Sequence, residues 1–157
     1  MAARKTNAMY VIDLGVSMGK PINGVAVSRR VDLAVAAVIA SSTQKLTSSK
    51  MFENGICVYG RGVTSNSLVK DGFYENVEEL IPIGRTSLEE MKRIKAVGVG
   101  ESQGDMIDGL VVAYSCLKNF NVGKSQNRGI CKQWDYLSPS QLKIYMYVYS
   151  YHTFYRW

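Results

Sequence analysis

The order of apolar and polar residues along the first sixty positions predicts a strand, a helix and a second strand. Residues 8–14 form an apolar run with one acid near its end, Asp13, which is typical of a fully buried parallel strand. Apolar residues then recur at helical spacing over residues 28–46, and residues 55–59 form another short buried strand. Such a unit implies a parallel sheet covered by helices. We therefore expect an α/β fold, a mostly parallel sheet flanked by helices, with residues 9–13 as its central strand.

The following forty residues predict one more strand and one more helix. Residues 76–83 have the composition of a strand, but Pro82 has no amide hydrogen and restricts that strand to an edge or a strand end. Residues 86–90 contain two overlapping Ser/Thr-x-x-Glu capping boxes, which predict the start of a helix. We expect this helix to run to about Ala96.

A further helix is predicted after the Gly-rich residues 98–104. Asp105 opens it, and we expect it to lead into a third core strand near Ile130. Its apolar residues recur at helical spacing. They are Ile107, Leu110, Val111, Tyr114 and Leu117.

Aromatic residues are concentrated at the end of the sequence. The last 24 residues contain both Trp, six of the ten Tyr and the single histidine, His152. Residues 144–151 alternate like a strand but have apolar or aromatic side chains on both faces. We interpret residues 1–133 as an α/β domain that is incomplete at its C-terminus, and residues 134–157 as an aberrant aromatic-rich tail. Whether this tail is a native ending or the product of mis-splicing or a shifted frame stays open.

Length, charge and cysteine content narrow the class of protein. At 157 residues the chain fits one domain, which excludes a two-domain enzyme. The net charge of +6 is a mild excess without a basic stripe. Three cysteines outside any CxxC spacing argue against a disulfide framework or a structural zinc site. No apolar run reaches signal-peptide or membrane-span length. These features predict a soluble intracellular protein.

Two short motifs resemble parts of enzyme sites. Residues 15–19 match the G-x-S-x-G nucleophile elbow around Ser17, but the elbow needs a helix immediately afterwards and its triad would depend on His152. Residues 123–125 (Gly-Lys-Ser) resemble the end of a phosphate loop that lacks its first glycine, and we interpret them as a solvated loop. We therefore predict no catalytic residue and no cofactor. A small α/β hydrolase that uses Ser17 is the alternative.

The acid at the end of the first strand is the remaining candidate for ligand chemistry. Ligands bind beyond the carboxyl ends of parallel strands, where Asp13 and Ser17 offer oxygen atoms to a hard cation. The segment is similar to the metal-ion-dependent adhesion site of von Willebrand factor A (VWA) domains, whose first loop carries Asp-x-Ser-x-Ser. Here Gly15 replaces the middle serine, and Asp105 stands where the second loop of that family supplies a threonine. We interpret Asp13, Gly15 and Ser17 as degenerate positions and expect no metal site.

The order of several motifs resembles one family in particular. Asp13-x-Gly15-x-Ser17-Met18-Gly19 follows a strand, Asn23-Gly24 precedes a helix, and Gly104-Asp105-x-Ile107-x-x-Leu110 leads the later helix. Residues 64–68 after the second strand and the basic residues 124–130 ahead of the next expected strand add to the match. Together they resemble the amino-terminal A domain of the large subunit of the Ku DNA-end-binding heterodimer, especially in its fungal form. The resemblance covers about residues 8–130.

This resemblance implies a nuclear protein that pairs with the smaller Ku subunit. It implies roles in DNA double-strand-break repair by non-homologous end joining and in telomere maintenance. Members of the family are often labelled as a subunit of an ATP-dependent DNA helicase, although this sequence has no phosphate loop. In the family the A domain is peripheral and serves mainly protein contacts, while a following β-barrel, absent from this sequence, forms most of the DNA ring.

For this chain the resemblance therefore implies a truncated, non-catalytic domain without cofactor or membrane contact. It would contact other repair or telomere proteins and reach double-stranded DNA ends only within the full-length protein. The outer helix that begins after residue 86 carries Lys92, Arg93 and Lys95, which we expect to be rim charges of a partner contact.

Overall fold

The first strand lies inside a four-stranded sheet because its side chains are apolar on both faces. The computed structural model describes residues 6–22, 25–48, 52–70, 72–126 and 142–147. The strand order is β5 (Val77–Gly84), β4 (Phe52–Tyr59), β1 (Thr6–Asp13), β6 (Leu142–Tyr147). Residues 8–12 of β1 are fully buried, and β1 pairs in parallel with both β4 and β6. The predicted α/β class and the central position of β1 are confirmed.

Helices cover both faces of this sheet. Helix α1 (Arg30–Ser48) links β1 to its parallel neighbour β4, and it packs with helix α2 (Leu88–Lys95) against one face. Helix α3 (Met106–Gln126) packs against the other face. Because successive side chains of a strand point to opposite faces, Tyr10 and Ile12 contact the α1 side whereas Met9 and Val11 contact α3. The predicted crossover helix is confirmed. Its buried side chains include Val31, Ala34, Val35 and Val38.

The connection from β1 to α1 contains structure that the sequence analysis did not predict. A 3-10 turn (Val16–Gly19) is followed by an antiparallel pair of short strands, β2 (Pro21–Ile22) and β3 (Val25–Arg29). Consequently α1 begins at Arg30, two residues later than expected. Strands of two and five residues give no hydrophobic period that a sequence pattern can detect.

Strand β5 is an edge strand, as Pro82 predicted. It pairs antiparallel with β4, so the sheet is mostly but not entirely parallel. Part of its outer edge is covered by Ser65, whose amide donates to the Val77 carbonyl at 3.1 Å and whose carbonyl accepts from the Glu79 amide at 2.8 Å. Pro82 adds a position without an amide donor, and both features limit pairing of this edge with another chain.

Helix α2 begins at a capping box, as predicted. The Ser87 hydroxyl accepts a hydrogen bond from the Glu90 amide at 3.2 Å, and the Glu90 carboxylate accepts one from the Ser87 amide at 2.7 Å. The helix ends at Lys95, and Ile94 on its inner side is buried. Local hydrogen bonding therefore fixes the start of α2, and one large apolar side chain anchors it.

Helix α3 faces the sheet with only some of the residues that predicted it. Ile107, Val111 and Tyr114 are exposed, whereas Leu117 is buried and Leu110 is half-buried. A Cβ atom at Gly109 would lie 2.9 Å from the Tyr59 ring, so the helix approaches the sheet too closely for large side chains along much of its length. The residues buried against the sheet are accordingly mostly small: Gly109, Val112, Ala113, Cys116 and Leu117.

The C-terminal end of α3 differs from the structure that the sequence predicted for residues 123–125. Gly123, Lys124 and Ser125 belong to the last turns of the helix, so the prediction of a solvated loop there was wrong. A single glycine does not end a helix when no proline or turn sequence follows it directly. The core strand expected near Ile130 lies outside the described residues.

Strand β6 comes from the segment that the sequence analysis set apart as a tail. Its six residues pair in register with β1, from Asn7 opposite Leu142 to Ile12 opposite Tyr147. The boundary at residue 133 stays a prediction, because residues 127–141 lie outside the described part of the chain. Among the described residues, no helix has the length and apolarity needed to cross a membrane.

Candidate functional site

Three loops meet beyond the carboxyl ends of β1 and β4. They follow β1 at Leu14, follow β4 at Gly60 and precede α3 at residues 97–105. The Leu14 amide donates to the Tyr59 carbonyl at 2.8 Å, and the Gly100 amide donates to the Leu14 carbonyl at 2.7 Å. These main-chain bonds join the loops at the edge where α/β proteins usually bind ligands.

Glycines allow the three loops to touch each other through their backbones. Gly60 has a φ of +82°, which favours glycine, and a Cβ atom there would lie 2.8 Å from the Gly15 nitrogen. A Cβ atom at Gly104 would collide with the Gly60 nitrogen and would lie 2.9 Å from the Tyr59 ring. One at Gly15 would lie 3.1 Å from an Asp13 carboxylate oxygen. The space above the strand ends is therefore filled by main chain.

Asp13 is half-buried beneath this contact and makes a local hydrogen bond. Its Oδ1 accepts from the Gly15 amide at 2.8 Å, which closes a tight turn at the end of β1. Burial raises the pKa of Asp13 above its ordinary value, and the hydrogen bond from Gly15 opposes that rise in part. The Asp13 carboxylate therefore stabilises the turn at the end of β1.

Asp105 has a comparable structural role at the start of α3. Its Oδ1 accepts from the Ile107 amide at 2.7 Å, which caps the helix. Tyr59 lies within electrostatic reach of both acids, and burial followed by the charges of Asp13 and Asp105 raises the pKa of its phenol. Both carboxylates that approach the strand ends are thus already hydrogen-bonded to main-chain amides.

The three degenerate adhesion-site positions have different environments. Asp13 is half-buried, Gly15 is buried, and Ser17 is exposed on the 3-10 turn. A hard cation takes about six or more oxygen ligands. In the described ranges no three His, Cys, Asp or Glu side chains form a group that could hold a metal ion. The absence of a metal site stays a prediction, and the close glycine contacts explain why Gly15 has no hydroxyl-bearing side chain.

Ser17 does not lie in the geometry of a nucleophile elbow. The elbow is a sharp turn from a strand directly into a helix, whereas the turn that contains Ser17 leads into the β2–β3 pair. The Ser17 carbonyl accepts from the Lys20 amide at 3.3 Å and from the Arg30 guanidinium at 3.4 Å. His152, the histidine of the proposed triad, lies outside the described residues.

A cleft of about 300 Å³ lies between β5 and α3, on the side of the sheet that contains Cys116. Glu79, Ile83 and Phe120 are among the residues that line it. Burial, followed by the charge of Glu79, raises the pKa of Cys116 to about 12. A thiol of this kind is protonated at neutral pH and is a poor nucleophile, so Cys116 is a core residue.

The three predicted rim charges lie together at the end of α2. Lys92, Arg93 and Lys95 are exposed, and Ile94 between them is buried. The Arg93 guanidinium donates to the Leu80 carbonyl of β5 at 3.0 Å, so it also anchors the helix to the sheet. Their role in a partner contact stays a prediction.

Sequence reasoning located Asp13, Gly15 and Ser17 but did not predict that Gly60 and Gly104 lie opposite them. Gly60 and Gly104 stand in two separate loops and become neighbours only through the parallel pairing of β1 with β4 and the docking of α3. The signal that could have found them is a glycine immediately after a buried strand and another immediately before a helix.

The chain matches no family model but is similar in sequence to part of a known protein. X-ray repair cross-complementing protein 5 of Dictyostelium discoideum is 29% identical to it over 126 residues. The aligned region is 79% of this chain but 15% of that protein, so the chain spans a small part of the relative's length.

Two solved structures are similar in fold. An uncharacterized membrane spanning protein from Vibrio fischeri matches with a TM-score of 0.55 at 12% identity, over 91% of this chain and 70% of that one. The VWA domain of SpRpn10 matches with a TM-score of 0.51 at 11% identity, over 91% and 88% of the two chains. The chain therefore has an α/β fold similar to that of a VWA domain, and its sequence is similar to part of an X-ray repair protein.

Proposed function

We propose that this chain is the amino-terminal VWA-like part of a Ku-type DNA repair protein and that it acts through protein contacts. The observation that carries the proposal is the 29% identity to X-ray repair cross-complementing protein 5 over 126 residues. The VWA-like fold and the motif order around Asp13, Gly15 and Gly104 support the same assignment. In this proposal residues 1–133 form most of the domain, and β6 (Leu142–Tyr147), which follows them, pairs with β1 in its sheet.

The site geometry supports a binding role without catalysis. The strand ends are closed by main-chain contacts at Gly15, Gly60 and Gly104, and the nearby carboxylates cap backbone amides. Partner contact is assigned to the exposed end of α2, where Lys92 and Lys95 lie one helical turn apart. The partners in this proposal are the smaller Ku subunit and other repair or telomere proteins in the nucleus, and DNA ends are held only by the full-length assembly.

Radiation survival tests the proposal directly. Cells that lack this protein are expected to survive X-rays less well than their parents, and the full-length gene is expected to restore survival. Affinity purification of the full-length protein should recover the smaller Ku subunit. Normal survival together with a purification that contains no repair protein would contradict the assignment.

Charge reversal tests the α2 surface separately. Replacing Lys92 and Lys95 by Glu in the full-length protein is expected to weaken its recovery of repair proteins about tenfold or more. Lys70→Glu is the matched control, because Lys70 is an exposed lysine away from α2. Equal recovery with both variants would remove α2 from the contact but leave the repair assignment standing.

The hydrolase alternative has its own test. A serine-directed fluorophosphonate, followed by mass spectrometry of the labelled peptide, is expected to leave Ser17 unmodified because no elbow activates it. Stoichiometric labelling at Ser17, lost on unfolding, would favour the enzyme over the binding domain.

A further inference from the structure

The cleft between β5 and α3 combines apolar walls with one charged side chain. Pro82 and Ile83 line it from β5, and Cys116 and Phe120 line it from α3. Among the described residues that line the cleft, Glu79 is the one that carries a charge. The cleft volume of about 300 Å³ lies at the lower end of the range of roughly 300–1,000 Å³ that is usual for small-molecule sites. A ligand of this cleft is therefore small and mostly apolar.

The register of β5 directs the Glu79 side chain toward this cleft. Glu79 is paired with Cys57 of β4, whereas the preceding Glu78 is paired with Val58. Directly opposite residues of an antiparallel pair have their side chains on the same face of the sheet. Cys57 packs on the α3 side and Val58 on the α1 side. The two neighbouring carboxylates therefore lie on opposite faces, and only Glu79 belongs to the cleft.

The charge of Glu79 has no counter-charge within the described ranges. Glu79 is half-buried and forms no ion pair there, whereas Glu78 pairs with Arg61 at 3.4 Å. The Cys116 thiol hydrogen-bonds to the Glu79 carboxylate but is neutral. Burial, followed by the charge of Glu79, raises the pKa of this thiol, which shows that the potential in the cleft is negative. Because a partly buried carboxylate without a cation is unfavourable, a positively charged ligand would stabilise it.

We propose that this cleft binds a small primary amine with an apolar body. The ammonium group donates hydrogen bonds to the Glu79 carboxylate, and the apolar body lies between Ile83 and Phe120. At the roughly 30 Å³ that a water molecule takes in the liquid, the cleft holds about ten non-hydrogen atoms, enough for one aromatic ring on a short aliphatic chain. The inference goes beyond the proposed repair function and does not depend on it.

Nuclear magnetic resonance titration of the 157-residue chain with phenethylamine tests this site. We expect a dissociation constant of about 1 mM, because few atoms are buried, with amide shifts centred on Glu79, Ile83 and Phe120. Phenethyl alcohol has the same shape without the charge, and it should bind about fivefold more weakly or less. No shift of these amides up to about 20 mM amine, or equal affinity for the amine and the alcohol, would overturn the proposal.

Two neighbouring glutamates of β5 provide the variant and its matched control. Glu79→Gln keeps the shape of the side chain without the charge, so it should remove the preference for the amine. Glu78→Gln makes the same change on the opposite face of the sheet and should leave that preference unchanged. Circular dichroism verifies that both variants keep their fold. Equal loss in the two variants, or tighter binding of Nα-acetyl-lysine amide than of phenethylamine, would contradict a site for a free amine.

Discussion

At the scale of single residues, Gly104 decides whether the loops can close over the strand ends. Its missing side chain lets the Gly60 backbone and the Tyr59 ring approach, so Gly104→Ala forces the loops apart. We expect it to lower the free energy of unfolding by about 1–3 kcal/mol, the usual cost of inserting a methyl group into close-packed structure. Urea denaturation measures the effect.

The matched control is Gly98→Ala in the same connection. A Cβ atom at Gly98 would meet nothing within 4 Å. The free energy of unfolding should change by less than about 0.5 kcal/mol. Equal destabilisation by both variants would show that the loop contact at Gly104 does not form.

Asp13 is expected to make stability depend on pH. Burial raises its pKa in the folded protein, so the folded state holds the proton more tightly than the unfolded state. The stabilisation from the protonated form is present at low pH and is lost as pH rises from about 4 through the raised pKa. Asp13→Asn keeps an acceptor for the Gly15 amide without the charge, so it should be more stable than the wild type at pH 7.

Denaturation of both proteins at several pH values checks this expectation. The difference in unfolding free energy between Asp13→Asn and the wild type should shrink as pH falls below the raised pKa of Asp13. A variant that is less stable than the wild type at pH 7 would show that the ionised carboxylate has a stabilising partner.

At the scale of elements, the capping box makes the start of α2 a local property. Ser87→Ala removes the acceptor for the Glu90 amide and is expected to lower the free energy of unfolding by about 1 kcal/mol. Ser87→Asp keeps an acceptor and should stay within about 0.5 kcal/mol of the wild type. Thermal denaturation of the wild type and the two variants measures both changes. Equal losses of unfolding free energy in the two variants would mean that the capping hydrogen bond does not stabilise the protein.

At the scale of the whole molecule, the charge distribution predicts that this chain does not hold DNA ends alone. Its net charge is +6, and the lysines and arginine of α2 occupy only one end of a short helix. Each neutralised phosphate adds about 0.9 to the slope of log affinity against log salt. We expect micromolar, end-independent binding with a slope of about one or two.

Gel shifts with blunt duplex DNA across a salt series measure this affinity and slope. Circular DNA of the same length provides the control for end dependence. Nanomolar binding that requires DNA ends at about 150 mM salt would contradict the expectation and would show that this chain itself contains a binding site for DNA ends.

Sequence alone determined the elements whose signals are local. Four such signals each act within a few residues: the apolar run of β1, the helical period of α1, the capping box of Ser87 and the missing amide of Pro82. Such signals predict an element and its edge or central position before any long-range contact is known. The motif order along the chain also indicated the VWA-like fold that the structural comparison supports.

Tertiary structure alone determined the contacts between loops and the buried side of α3, because these features depend on residues far apart in the chain. Gly15, Gly60 and Gly104 become one contact only when β1 pairs with β4 and α3 docks. An apolar helical period gives no sign of which side meets the sheet when both sides are apolar. In α3 the close approach of Gly109 to Tyr59 selected the small residues for the core and left Ile107, Val111 and Tyr114 outside.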